Sequence, residues 1–122
     1  MRILLCLLAM VATPTWAEWV EMGESANLTH YIDPATFKKN GHLRRVWEMQ
    51  DLKQRHKDGE ISRRYMTEYD CKEERLRILS TSAHSEPMAG GKPLDYSNSV
   101  GTWVFVPPDT PSADVLKLVC AK

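Results

Sequence analysis

The chain has 122 residues with 16 basic and 16 acidic side chains, a length that suits one hydrophobic core, since single domains typically run to about 100–150 residues. Hydrophobic residues make up 43% and charged residues 26%, near ordinary globular values, which excludes a collagen, a coiled coil or a disordered segment. The net charge of zero excludes a blanket attraction to nucleic acid or anionic lipid.

The first segment reads as an address. Met1-Arg2 is a positive start, Ile3 to Val11 is an unbroken apolar run, and Thr15-Trp16-Ala17 fits the small-x-small pattern of a signal peptidase site. The pattern predicts a signal peptide over 1–17 and an exported domain over 18–122. The apolar run falls well short of the roughly 20 residues that span a bilayer, and no later stretch reaches that length, so no transmembrane segment is expected. A lipoprotein needs a cysteine at the cleavage point; Glu18 stands there and Cys6 lies inside the leader. The expected location is the periplasm, or a peripheral position at the cell surface without a lipid anchor.

Beyond the leader, Glu18 to Gly23 is a short alternating strand, and Leu28 to Asp33 is a second. Pro34 suits the first turn of a short helical segment through Phe37, with Asp33 as its cap. Asn40-Gly41 and Asp58-Gly59 are turn pairs that bracket a strand over Leu43–Leu52. Over the next strand, Ile61, Arg63, Tyr65, Thr67, Tyr69 and Cys71 share one face, while Ser62, Arg64, Met66, Glu68 and Asp70 share the other. Leu76 to Thr81 is a further strand. His84 to Ser99, with Pro87, Gly90-Gly91 and Pro93, reads as a long loop, and Gly101 to Val106 is the last strand, halted by Pro107-Pro108. Pro111 opens a helix to about Ala121, with Thr110 as cap, Asp114 in the first turn, and Val115, Leu118 and Val119 on one side. Short strands followed by one helix predict an α+β fold: a single antiparallel sheet of about five to six strands, with the C-terminal helix on one face and the other left wet or used for contact.

Two cysteines remain after the leader, Cys71 and Cys120. An even count in an exported chain predicts one disulfide. Their separation shows no C-x-x-C spacing and no paired histidines lie nearby, which argues against redox or metal chemistry. The histidines His30, His42, His56 and His84 form no metal-binding pattern. Nucleophile-elbow and phosphate-loop motifs are also missing, since Pro93 follows Gly90-Gly91-Lys92. The sequence therefore predicts no catalytic residues, no cofactor and no metal.

Charge placement says more than net charge. Glu18 to Phe37 holds four acids and no Lys or Arg, whereas Lys38 to Arg64 holds nine bases against four acids. A basic stripe at the presumed hairpin, drawn from Lys38, Lys39, Arg44, Arg45, Arg63 and Arg64, is the candidate partner-binding surface, for a protein or an acidic glycan. The alternative is an ordinary solvated face with edges guarded by Lys and Arg. Trp19, Trp47 and Trp103 lie on strands beside aliphatic residues, and at least two are expected in the core. An open sheet edge would also permit a homodimer.

Taken in order, these residues resemble the surface-adhesin protein E family and its adhesin-E-like domains. The resemblance is carried by Trp19, Tyr31-Ile32-Asp33, Val46-Trp47, Tyr69-Asp70-Cys71, Arg75 and Arg77. It continues through Met88 with Gly90-Gly91, Trp103 before Pro107-Pro108, and Cys120. Pro108-Asp109-Thr110 departs from it, standing where relatives tend to carry a Pro-Gly-Ser-like turn. The resemblance implies an antiparallel sheet with a disulfide-held C-terminal helix. For the founding member it also implies an adhesin of the outer membrane that binds host matrix and serum proteins such as laminin and vitronectin. The function expected is a non-enzymatic binding module; a periplasmic enzyme inhibitor or envelope accessory protein is the alternative.

Overall fold

The computed structural model describes residues 18–122; the expected leader lies outside the described residues. The chain builds an antiparallel sheet from β1 (Val20–Glu24), β2 (Leu28–Asn40), β3 (Leu43–Leu52), β4 (Ser62–Asp70), β5 (Arg75–His84) and β6 (Pro93–Ser97). These strands lie side by side in chain order, and β7 (Val104–Phe105) pairs with the other end of β5. Two of the turns are chemically prepared: Gly41 takes φ +59° between β2 and β3, and Gly59 takes φ +93° ahead of β4, conformations that cost glycine little.

The helix α1 (Pro111–Cys120) closes the fold. Pro111 stands at its start and the Thr110 hydroxyl accepts from the Ala113 N–H, so one of the orphan donors of the first turn is satisfied. Val115 and Val119 are buried against Ile32 of β2, Val46 of β3 and Tyr69 of β4. Burying each valine side chain is worth about 1.5–3 kcal/mol. The alternation read from the sequence holds across β4: Tyr69 lies under the helix, while Glu68 and Asp70 meet side chains on the opposite face. The Cys71–Cys120 disulfide, with Cα atoms 5.6 Å apart, pins the helix end to the end of β4.

Four expectations need correction. No helical turn forms over Pro34 to Phe37; β2 runs on to Asn40 with its register broken between Asp33 and Lys38. There the Thr36 hydroxyl accepts from the Trp47 N–H at 2.9 Å and donates to the Asp33 carbonyl, replacing ladder bonds that the irregularity forfeits. The expected loop after His84 contains β6, whose Pro93 is tolerated because it begins an edge strand. The last strand shrinks to Val104–Phe105. On α1, Leu118 is exposed, and Leu116 packs against the core instead.

The same stretch also holds a 3₁₀ turn over Pro87–Ala89. Met88 and Ala89 both adopt left-handed φ, at 58° and 57°. Their successive N–H groups donate to Asp51 Oδ1 at 3.0 Å and Ser62 Oγ at 2.9 Å. The two amides are thus satisfied separately, one by a carboxylate of β3 and the other by a hydroxyl of β4. Gly91 is required behind the turn, since a Cβ there would stand 2.6 Å from Glu86 Cγ.

Candidate binding surface

Strand alternation divides the six basic residues into two sets of three. Register places Lys38 opposite Arg45, and Lys39 opposite Arg44. Adjacent residues on a strand point to opposite faces, so each of the pairs Lys38-Lys39, Arg44-Arg45 and Arg63-Arg64 is split. Arg44 turns under the helix and is only 6% exposed. Its Nε donates to the Val119 carbonyl at 3.2 Å and its NH1 to the Gly41 carbonyl at 2.6 Å. It completes the helix C-terminus, where orphan carbonyls and the dipole favour a cation. Arg44 therefore leaves the candidate surface. Arg63 lies on the helix side and grips Glu60 through two bonds of 3.0 Å.

On the opposite face, Lys38, Arg45, Glu68 and Arg77 stand in one lateral row across β2 to β5. Glu68 is 1% exposed and accepts from Arg45 Nε at 2.7 Å and Arg77 Nε at 2.9 Å. Burial alone would raise the Glu68 pKa, but these two guanidinium bonds outweigh it and hold the carboxyl below its ordinary value. Beside the row, Arg75 bonds Asp70 at 3.0 Å, and the Trp103 ring lies 4.7 Å from Arg75 Cζ and 4.4 Å from Arg77 Cζ. Arg64 stacks over Trp47 at 4.7 Å, and its buried Nε has no hydrogen-bond partner among the described residues. The face thus presents guanidinium groups braced from below by carboxylates and from the side by indoles.

This arrangement revises the expectation for the tryptophans. Trp19, Trp47 and Trp103 are all half-buried, outside the buried core. Arg75, Arg77 and Trp103 complete the surface although charge counting missed them. Their signal was the Arg-x-Arg spacing on a strand, which sets both side chains on one face.

The helix side carries a buried polar network. The Tyr65 hydroxyl donates to His30 Nδ1 at 3.3 Å, His30 Nε2–H donates to Glu48 Oε1 at 2.8 Å, and the Tyr69 hydroxyl donates to Glu48 Oε2 at 2.8 Å. Burial, reinforced by the Glu48 charge, pushes the pKa values of Tyr65 and Tyr69 well up, so both remain hydroxyl donors. Near the 3₁₀ turn, His84 Nε2 pairs with Ser82 Oγ at 2.7 Å. In the β3–β4 connection, His56, Asp58 and Glu60 bring one donor atom each within 4.8 Å of one another. There both Glu60 oxygens are already occupied by Arg63. Among the described residues, no helix is long and apolar enough to cross a membrane.

A family model described as Surface-adhesin protein E matches residues 19–121. No curated protein matches the chain. Among solved structures, crystal form II of Haemophilus influenzae protein E superposes with a TM-score of 0.69 at 15% identity, covering 88% of this chain and 90% of that one. Its selenomethionine form gives the same score and identity, covering 88% of each chain. Protein E from non-typeable Haemophilus influenzae gives a TM-score of 0.60 at 15% identity, covering 89% and 79%. At this identity the likeness is one of fold: the same antiparallel sheet with its terminal helix.

Proposed function

The chain belongs to the surface-adhesin protein E family, and from that premise we propose that it is an exported, non-enzymatic binding module. Its leader is residues 1–17, and its partner is a host matrix or serum protein, or an acidic glycan of such a surface. The observation that carries this reading is the braced row on the face away from the helix. Lys38 is exposed, the Arg45 side chain is 50% exposed, and Arg75 and Arg77 are 35% and 30% exposed beside Trp103. Arginine and tryptophan are the residues most enriched where interfaces hold their energy. Bracing matters because a guanidinium already fixed by Glu68 loses less side-chain freedom when a partner arrives. Arg64, further along β4 on the same face, extends the positive surface, whereas Lys39 and Arg63 lie on the helix side.

The test is binding of the purified exported protein to immobilised laminin, vitronectin and heparin at low and high salt. Lys38→Glu combined with Arg45→Glu is expected to slow association and weaken binding about 10-fold or more, with the effect shrinking as salt rises. Binding that ignores both the charge reversal and the salt, or no binding to any of the three, rejects the proposal.

A further inference from the structure

On the helix side, between α1 and the segment following β7, lies a groove of about 550 Å³. Its floor is apolar, formed by Val106, Pro108, Leu116 and the Cys71–Cys120 disulfide. Its rim carries Glu74, Asp109 and Asp114 against a single base, Lys117. None of these three carboxylates takes part in an ion pair among the described residues. The apolar character continues outward along β7 at Val104, which pairs with Leu76 and is 50% exposed.

We infer that this groove binds a basic segment of a protein partner, in which arginine or lysine alternates with apolar side chains. Charge complementarity selects that occupant. Three carboxylates around an apolar floor concentrate negative potential where field lines run through low-dielectric walls, so an anionic partner is repelled. A guanidinium can engage a rim carboxylate in a two-pronged bond, while an intervening apolar side chain covers Val106 and Leu116. The groove is opposite in sign to the basic row and lies on the other side of the sheet. The two surfaces therefore take different partners, and loss of heparin or matrix binding at the row leaves the groove intact.

The inference is tested by titrating the ¹⁵N-labelled exported protein, disulfide intact, with the blocked pentapeptide Arg-Leu-Arg-Val-Arg and separately with its glutamate counterpart. The arginine peptide is expected to shift the amides of residues 104–120, and the glutamate peptide to shift none of them. The triple variant Glu74→Gln, Asp109→Asn, Asp114→Asn should weaken arginine-peptide binding about 10–100-fold, a factor of ten corresponding to about 1.4 kcal/mol. Asparagine tolerates the left-handed φ of Asp109. A control triple of equal charge change on exposed acids, Glu18→Gln, Glu21→Gln and Glu86→Gln, should leave the affinity unchanged. Val106→Ser should weaken binding without changing the preference for the arginine peptide. Equal losses in both triples, shifts scattered over the surface, or binding of the glutamate peptide would overturn the inference.

Discussion

Glu48 accepts hydrogen bonds from His30 and Tyr69 at a position 1% exposed, so removing it strands two buried donors. Each stranded group costs about 1–3 kcal/mol. Glu48→Ala is therefore expected to lower the unfolding free energy by roughly 2–6 kcal/mol, and Glu48→Gln by less because it keeps the volume and one acceptor; urea denaturation measures both. Two groups of titrating side chains set the acid limit. Burial pushes the His84 pKa down from 6.5, and the Arg64 charge adds to the effect, so the folded state holds it neutral while the unfolded chain takes up a proton. That contribution is lost as pH falls below 6.5. Glu68 and Asp70 behave in the opposite sense. Burial raises both, but Arg45 and Arg77 on Glu68, and the Glu73 N–H, Arg75 and Lys72 N–H on Asp70, outweigh it and leave both pKa values lowered. Their stabilisation is complete above the ordinary values of 4.5 and 3.8 and disappears as pH falls through the lowered ones. Stability measured against pH should thus show two acid steps. His84→Gln should erase the upper one and Glu68→Gln should flatten the lower; a single step unaffected by either would contradict these assignments.

At the scale of the element, local chemistry was legible wherever a residue acts on its own neighbours. Thr110 and Pro111 marked the start of α1, and the Thr110 side chain does cap it. Thr110→Ala is expected to cost about 1 kcal/mol, visible as a lowered Tm with the binding surface intact. The two faces of β4 followed from period-two alternation alone. Charge counting failed because it ignored that same period: a run of bases on a strand cannot form one stripe. Pro34 misled for a different reason. Its fixed φ fits a helix start, but the pairing of β2 with β3 on both sides of the irregularity keeps the segment extended. The Pro93–Ser97 strand was hidden by its flanking glycines, and its place beside β5 depends on a partner that local propensity does not describe.

The whole molecule is a meander in which every strand from β1 to β6 pairs with its chain neighbour, so most of the sheet is closed by short connections. The helix, β7 and the 3₁₀ turn return over long sequence distances, to β1 and β2, to β5 and to β3 respectively. The disulfide spans 49 positions across that return. A cross-link closing a loop of this length is worth roughly 4 kcal/mol. Cys71→Ser with Cys120→Ser should lower stability by about that amount and loosen α1 first, seen as faster amide exchange over 111–120 than in β3 and β4. Composition, alternation and cysteine count were enough to determine an antiparallel sheet, its capped terminal helix and the covalent link, because each follows from forces acting over a few residues or from simple pairing. Which arginines reach solvent, which are spent on a helix end or a buried carboxylate, and where the unpaired acids converge were decided only by the tertiary structure. Those outcomes depend on what sits across the sheet and beneath the helix, and a linear chain does not display its neighbours in space.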